Sequence, residues 1–176
     1  MNKQELRQHI RALKSQFTDE ELVGLSRPII ERLLAHPAIV SAGTILMYHS
    51  LPDEVFTHEA INRLVSAGKH VLLPRVIDGE NIELRIYNTP DDLRQGAFGI
   101  MEPSGTLFRD YAAIDVAVIP GMSFDSSCNR LGRGKGYYDR FLVQTPNVFK
   151  VGVCFDFQKM PIIPASEHDI RMDVVI

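Results

Sequence analysis

The chain has 176 residues, with 19 Lys and Arg against 22 Asp and Glu, which gives a formal net charge of −3. This length predicts a single domain over residues 1–176, and the 45% of hydrophobic residues can form its core without metal or disulfide staples. The weak negative charge argues against general nucleic-acid binding, because a polyanion attracts basic surfaces.

Composition also excludes several special classes of protein. No run of about 18 apolar residues occurs, so we expect no membrane-spanning segment. Residues 1–5 lack the apolar region of a secretion signal, and Cys128 and Cys154 have no CxxC partner. We therefore expect a cytoplasmic protein without a zinc site or a disulfide framework.

Two helices are predicted at the start of the chain. The first follows from apolar residues at helical spacing, Leu6, Ile10, Leu13 and Phe17. Lys3 and Arg7 are four residues apart, so their side chains share one face of that helix. Thr18 and Glu21 fit a capping box that begins the second helix, which Pro28 is expected to kink or split.

From residue 44 onward, apolar strands alternate with helical patterns. Strands are predicted at 44–48, 70–74, 76–77, 82–87, 114–119, 151–155 and 173–176, with a hairpin turn at Asp78-Gly79. Helices are predicted from Thr57, as N-cap, to about Ala67, and over 137–143. Residues 88–112 are interpreted as turns with one short helical candidate, Asp91 to Arg94, and residues 122–136 as a loop.

Strands that alternate with helices predict an α/β fold. We expect three layers in one Rossmann-like domain, with a central, largely parallel sheet that has a mixed edge and is flanked by helices. Ligands of such sheets bind beyond the carboxyl ends of the strands. The two most polar strand exits, residues 48–54 and 120–136, are therefore expected to flank the functional site.

In one segment glycines alternate with cations directly before a helix: Asn129-Arg130-Leu131-Gly132-Arg133-Gly134-Lys135-Gly136-Tyr137-Tyr138-Asp139-Arg140. Glycine permits positive φ, so successive backbone N–H groups can converge on an anion. The helix N-terminus, Arg133 and Lys135 add favourable charge. The pattern predicts a phosphate-binding loop, although it matches neither the Walker A nor the GxGxxG spacing. An exposed basic loop and an RGG-like nucleic-acid contact are the alternatives.

Together with Pro120-Gly121-Met122-Ser123-Phe124-Asp125, this segment resembles the signature of the 5-formyltetrahydrofolate cyclo-ligase (5,10-methenyltetrahydrofolate synthetase) family. The resemblance covers the whole chain, since Lys3-x-x-x-Arg7, Asp53-Glu54 and His168-Asp169 fall where the family has its counterparts. It implies a ligase that converts 5-formyltetrahydrofolate and ATP, with Mg²⁺, to 5,10-methenyltetrahydrofolate, ADP and phosphate. It also implies an enzyme of one-carbon metabolism that takes free or polyglutamated folate. We expect a monomer in the cytoplasm, and the composition predicts no nucleic-acid or membrane partner.

The resemblance also implies roles for individual residues. Lys3 and Arg7 would contact the ATP phosphates, while Glu54 and His49 would contact the substrate, Glu54 by accepting the paired N–H donors of the pterin. The ATP loop would comprise Arg130, Leu131, Gly132, Arg133, Gly134, Lys135, Gly136, Tyr137 and Tyr138. Five of these would also face the folate: Arg133, Gly134, Lys135, Gly136 and Tyr137. Asp139 and Asp169 would bind Mg²⁺, which prefers one or two carboxylates with phosphate oxygens and water.

The mechanism that this implies is phosphoryl transfer followed by ring closure. The formyl oxygen attacks the γ-phosphate, and N10 then attacks the iminium phosphate so that phosphate leaves. Such a transfer needs positioning and charge stabilisation, which would make Arg133 and Lys135 the catalytic residues.

Other interpretations of the same residues stay open on the sequence. Lys3 and Arg7 could simply lie on a solvated helix face. Glu54 could be an acid that precedes a helix, Asp139 an acid in the first turn of a helix, and Asp169 a turn residue. A second enzyme class is a small-molecule kinase in which Asp125 or Asp139 is the catalytic base. A third reading is an RNA-binding module that uses the Arg-Gly segment and whose affinity falls steeply with salt.

Overall fold

A seven-stranded mixed sheet forms the centre of this computed structural model, which describes residues 1–176. The helices are α1 (Lys3–Lys14), α2 (Asp19–Ala35), α3 (Pro37–Ser41), α4 (His58–Ser66) and α5 (Tyr137–Val143). The strands are β1 (Thr44–Leu46), β2 (His70–Val76), β3 (Ile82–Tyr87), β4 (Leu93–Gln95), β5 (Met101–Pro103), β6 (Leu107–Phe108), β7 (Val116–Pro120), β8 (Ser123–Phe124), β9 (Arg130–Leu131), β10 (Phe149–Val153) and β11 (Val174–Val175). No helix combines the length and the apolar character needed to cross a membrane.

The order of strands in the sheet is β11-β10-β7-β1-β2-β3-β6, and the five strands from β11 to β2 are parallel. β3 pairs antiparallel with β2, and β6 antiparallel with β3, so one edge of the sheet is mixed. α4 connects β1 to β2 and α5 connects β7 to β10, as crossovers between parallel strands require. The predicted α/β class, with a largely parallel sheet, a mixed edge and flanking helices, is confirmed.

Different helices cover the two faces of the sheet. Along β7, Val116 and Val118 belong to an apolar cluster shared with α2 and α4, whereas Ala117 and Ile119 belong to a second cluster shared with α5. This division follows from the alternation of side chains along a strand. Because both faces are covered, the central strands are apolar along their length, and three layers result.

α1 packs on the segments that follow β7 rather than in either of these two clusters. Leu6 and Ile10 are buried against Met122, Leu131 and Ile163, which form a third apolar cluster. Since Met122 follows β7 and Leu131 lies within the glycine-rich segment, this cluster fixes α1 beside one of the two predicted flanks of the site.

Several local expectations differ from the structure, and the predicted loop 122–136 contains a short antiparallel pair, β8 with β9. α2 continues through Pro28 as one helix, because its buried side chains on both sides of the proline hold it against the core. Thr57 precedes α4, but its hydroxyl donates to the Tyr48 carbonyl (2.6 Å) instead of capping the helix. The predicted helix at Asp91 to Arg94 is a 3₁₀ turn, Pro90–Asp92, followed by β4, which forms a hairpin with β5.

Gly152 in β10 permits a close approach by Phe124. A Cβ at Gly152 would lie 2.5 Å from Cε1 of Phe124 and 3.1 Å from Cγ of Met172. Phe124 is fully buried, so its ring has no space into which it can move. We expect Gly152→Ala to lower the free energy of unfolding by about 1–3 kcal/mol in urea denaturation. Gly79→Ala is the control, since no atom lies within 4 Å of its added Cβ; equal stability of the two variants would contradict this packing.

Candidate active site

A cavity of about 400 Å³ opens at the carboxyl ends of β1, β2 and β7. Its walls include Tyr48 after β1, Val76 at the end of β2 and Gly121 after β7. Residues from both predicted flanks, 48–54 and 120–136, line this one cavity. The structure therefore brings the two strand exits together where ligands of open α/β sheets bind.

The apolar wall of the cavity comes from the β4–β5 hairpin, whose residues the sequence analysis interpreted as turns. Its lining residues there are Ala97, Phe98, Ile100, Met101 and Pro103. Phe98 at the hairpin tip is fully exposed. An apolar wall facing a charged loop suits a ligand with a flat ring system and an anionic part.

The glycine loop, residues 132–136, carries backbone hydrogen-bond donors without a protein partner, and four of its residues line this cavity. Gly134 (φ 112°) and Gly136 (φ 70°) lie in the left-handed region that favours glycine. None of the five backbone N–H groups of the loop donates to another protein group. Arg140 braces the loop, because Nη2 donates to the Lys135 carbonyl (2.6 Å) while Nε donates to a carbonyl of the β2–β3 turn. Free N–H donors on a fixed backbone are what an anion-binding loop requires.

Lys135 is the cation of this segment whose charge is available to a ligand. Its side chain is exposed, lines the cavity and forms no ion pair. Arg130, Arg133 and Arg140 are each engaged with protein groups.

Arg133 binds the two carboxylates of the Asp53-Glu54 turn. Its Nη2 lies 2.7 Å from Oδ1 of Asp53 and 2.9 Å from Oε1 of Glu54, and its Nε donates to the same Glu54 oxygen (3.2 Å). The other oxygen of Glu54, Oε2, accepts the N–H of Leu51 (2.9 Å). Two predicted site residues that lie far apart in the chain are thus in contact, and Glu54 must release Arg133 before both of its oxygens can accept from a ligand.

Lys14 and its ion pair with Asp53 were not predicted, since the sequence singled out Asp53 only as part of the Asp53-Glu54 turn. Oδ2 of Asp53 lies 3.1 Å from Nζ of Lys14, whose side chain is only 5% exposed. Burial lowers the pKa of Lys14, and the Asp53 carboxylate opposes this effect. Burial raises the pKa of Asp53, but the charges of Lys14 and Arg133 outweigh it and hold that pKa below its usual value. A lysine at the end of a helix is common, so nothing in the sequence marked this one as buried.

Arg130 and Asp139 form an ion pair beneath the glycine loop. The Arg130 side chain is 4% exposed, with Nη2 2.9 Å from Oδ2 of Asp139 and Nη1 donating to the Pro120 carbonyl (3.1 Å). The guanidinium also lies over the Tyr138 ring, and its Nε has no partner. Oδ1 of Asp139 accepts the N–H of Ile170 (3.1 Å). A predicted ATP-loop residue and a predicted metal ligand therefore tie α5 to β7.

Lys3 and Arg7 on α1 both reach predicted site segments. Nε of Arg7 donates to the Gly132 carbonyl (2.8 Å), and Nζ of Lys3 contacts Oδ2 of Asp169 (2.5 Å). The same Asp169 oxygen accepts the N–H of Ser166 (2.7 Å). Burial raises the pKa of Asp169, but the hydrogen bonds from Lys3 and Ser166 outweigh it and lower that pKa. Both cations therefore contact the site rather than solvent alone.

The carboxylates of Asp139 and Asp169 can be tested as a magnesium site. Asp139 accepts the N–H of Ile170, the residue after Asp169, so the two predicted ligands lie close together. No group of three or more His, Cys, Asp or Glu side chains is arranged to hold a metal. Two carboxylates nevertheless fit Mg²⁺ when phosphate oxygens and water supply its remaining ligands. Oδ1 of Asp169 accepts no hydrogen bond, because its three donors all contact Oδ2, and is therefore available to a metal ion.

His49 lines the cavity as one half of a stacked pair. Its ring centroid lies 3.6 Å from that of His58, with 11° between the planes. Nε2 of His58 hydrogen-bonds the Ser50 carbonyl (2.9 Å), and this contact fixes the His58 ring on which His49 stacks. Burial, together with the neighbouring His58, lowers the pKa of His49 to about 4, so His49 presents a neutral ring.

We expect the His49 imidazole to stay uncharged until the pH falls to about 4. In the unfolded chain His49 takes up a proton near pH 6.5. The neutral His49 therefore contributes fully to stability above pH 6.5, and this contribution is lost as the pH falls toward 4. A titration of the His49 Hε1 resonance by NMR, assigned with His49→Asn, measures this pKa. An inflection near pH 6.5 would contradict the buried, stacked arrangement.

Asp125, one of the two bases considered for a kinase, is occupied structurally. Its carboxylate accepts hydrogen bonds from Ser127, Ile163 and, twice, Asn129, and it does not line the cavity. Burial raises the pKa of Asp125, but these hydrogen bonds outweigh it and lower that pKa. Asp125 is therefore a turn residue and not a general base.

Comparisons with known proteins agree on one family. The model of the "5-formyltetrahydrofolate cyclo-ligase family" matches residues 1–176. The 5-formyltetrahydrofolate cyclo-ligase of Mus musculus is 31% identical over 98% of this chain and 89% of that protein. The Escherichia coli K12 protein of the same name is 31% identical over 95% of each chain. The NMR structure of Aquifex aeolicus 5,10-methenyltetrahydrofolate synthetase superposes with a TM-score of 0.86 at 34% identity, covering 99% of this chain and 89% of that one.

Proposed function

We propose that this chain, which belongs to the 5-formyltetrahydrofolate cyclo-ligase family and is a ligase of folate metabolism, closes the ring of its substrate in an ATP- and Mg²⁺-dependent reaction. The substrate is 5-formyltetrahydrofolate, and the products are 5,10-methenyltetrahydrofolate, ADP and phosphate. One observation carries the assignment: the unpartnered donors of the glycine loop and the carboxylate of Glu54 share a single cavity. That cavity can hold a phosphate group beside an aminopyrimidinone ring.

The reaction has two steps whose atoms balance. The formyl oxygen on N5 attacks the γ-phosphorus of ATP, and the bond to the bridging oxygen breaks as ADP leaves. N10 then attacks the formyl carbon of the resulting iminium phosphate and loses its proton. The carbon–oxygen bond breaks, and phosphate leaves with the former formyl oxygen. Neither step needs a protein nucleophile, so positioning and charge stabilisation are the tasks of the site.

The glycine loop supplies the charge stabilisation. Its free N–H groups and the Lys135 ammonium would surround the γ-phosphoryl group during transfer. Arg133 lines the same cavity and would stabilise negative charge on the oxygen that passes from the formyl group to the phosphate. Donors that are already aimed need no rearrangement as charge shifts, which is why a braced loop is effective.

Other cations would hold the nucleotide. Lys3 and Arg7 approach the loop from α1, and Arg130 lies beneath it. Burial, followed by the charge of Glu54, raises the pKa of Tyr138, so its hydroxyl stays protonated and can donate to an anion. These groups act by position, since none of them changes its covalent state.

Glu54 would hold the pterin. Its side chain is 11% exposed at the cavity wall, and a carboxylate accepts two parallel N–H bonds from an aminopyrimidinone. The neutral ring of His49 provides a flat surface nearby, and the β4–β5 hairpin covers the apolar side. The pterin would thus be held at its polar edge while N5 and N10 face the loop.

Mg²⁺ would be held by Asp139 and Asp169 at the start of α5 and in the C-terminal segment. When bound, the metal neutralises charge on the phosphate oxygens. Lys3, which contacts Asp169, would then turn to the phosphates.

An absorbance assay tests the proposal. Methenyltetrahydrofolate absorbs in the near ultraviolet, where 5-formyltetrahydrofolate does not, so purified protein with Mg-ATP and 5-formyltetrahydrofolate should produce this band. Reactions without ATP, or with EDTA, should not produce this band. If the complete mixture also fails to produce the band while the protein is folded, the proposed function is wrong.

A further inference from the structure

Four charged side chains of alternating sign lead from the protein interior to the cavity. Lys14 contacts Asp53, Asp53 contacts Arg133, and Arg133 contacts Glu54, at 3.1, 2.7 and 2.9 Å. Their formal charges cancel. Each side chain in this row is positioned by its neighbours. A new partner for Glu54 would therefore change the contacts of Arg133, and through Arg133 those of Asp53.

Both ends of this row are more buried than its middle, since the Glu54 side chain at the other end is 11% exposed. The side chain of Lys14 is 5% exposed, whereas those of Asp53 and Arg133 are 40% and 43% exposed. The Lys14 ammonium has Asp53 as its one partner, and an unpaired buried ammonium is costly. Asp53 is therefore held from the inside, and Arg133 is held by Asp53.

Substrate binding would remove the other support of Arg133. In the proposed function, both Glu54 oxygens turn to the pterin, so the guanidinium loses the two hydrogen bonds that it donates to Glu54. A half-exposed arginine without a partner samples many rotamers, and fixing it again costs conformational entropy. The bond from Nη2 to Oδ1 of Asp53 is the contact that survives.

We propose that Asp53, anchored by the buried Lys14, is a positioning residue that keeps Arg133 aimed at the phosphoryl group after Glu54 has passed to the substrate. This inference rests on the proposed function. Asp53 does not line the cavity and would act through Arg133. It also links α1, which carries Lys3 and Arg7, to the turn that carries Glu54.

Asp53→Asn tests this role. The variant keeps the shape of the side chain but no longer holds the guanidinium by charge, so we expect kcat to fall by about 10- to 100-fold. Binding of 5-formyltetrahydrofolate, measured by calorimetry without ATP, should be retained, because Glu54 is intact. Asp156→Asn is the matched control, since Asp156 pairs with Lys159 on the surface away from the cavity and should leave kcat unchanged.

The double variant Lys14→Met/Asp53→Asn separates positioning from folding. Asp53→Asn alone leaves the Lys14 ammonium unpaired and should lower the melting temperature. Replacing Lys14 by the apolar Met should restore the melting temperature, while kcat should stay low because Arg133 still lacks its support. Wild-type kcat in either variant would overturn the inference, as would a loss confined to substrate affinity. A wild-type protein that forms no methenyl product would instead refute the proposed function.

Discussion

Lys135→Ala is expected to lower kcat by about 10²- to 10³-fold and to leave the melting temperature unchanged. The side chain of Lys135 is exposed and forms no ion pair, so the fold loses nothing with it. The charge of Lys135 is also free for a ligand, unlike the charges of Arg130 and Arg133, which face carboxylates. The effect should therefore appear in turnover and not in stability.

The control for this substitution is Lys159→Ala, which removes another lysine from the surface. Lys159 pairs with Asp156 away from the cavity, and surface pairs of this kind contribute little to stability. Kinetics with saturating Mg-ATP and 5-formyltetrahydrofolate, and thermal denaturation, measure both quantities. Wild-type turnover in Lys135→Ala would remove Lys135 from the catalytic machinery.

Asp139→Asn is expected to act on both stability and magnesium use. It leaves the buried Arg130 guanidinium without its carboxylate, and breaking a buried pair in this way costs about 3–5 kcal/mol. If Asp139 also holds Mg²⁺, the variant should need more magnesium for half-maximal activity at temperatures where it is folded. Urea denaturation and a magnesium titration of the rate measure the two effects separately.

Asp169→Asn distinguishes the two roles. Asp169 pairs with Lys3, which is partly exposed, so its loss should disturb stability much less than the loss of Asp139. Its magnesium requirement should nevertheless rise like that of Asp139→Asn. An unchanged magnesium dependence in both variants would remove these aspartates from the metal site, and unchanged stability in Asp139→Asn would contradict the buried ion pair.

The parts of the fold that were predicted correctly have local signals. The capping box of Thr18 and Glu21 forms as expected, and the apolar run that ends at Pro120 forms β7, an interior strand of the sheet. The hairpin β4–β5 was missed because its strands have three residues each, too few to show period-2 alternation. Its apolar residues therefore looked like loop residues, although they form one wall of the cavity.

The residues of the candidate site also divide into those with a local sequence signal and those without one. Gly134 and Gly136 could be singled out because positive φ leaves a mark in the sequence, namely glycine. The contact between Arg133 and Glu54 and the burial of Lys14 leave no such mark. They arise where α1, the turn after β1 and the glycine loop meet at the carboxyl ends of the strands, and ion pairs between distant segments have no fixed spacing.

The proposed reaction transfers the formyl oxygen to phosphate, and isotope labelling tests this transfer directly. 5-Formyltetrahydrofolate with ¹⁸O in the formyl group should be converted with Mg-ATP while the near-ultraviolet band of the product is followed. Phosphate analysed by mass spectrometry should carry one ¹⁸O atom for each molecule of methenyl product, because the former formyl oxygen leaves on phosphorus. Phosphate without ¹⁸O, released while methenyl product forms, would contradict phosphorylation of the formyl group.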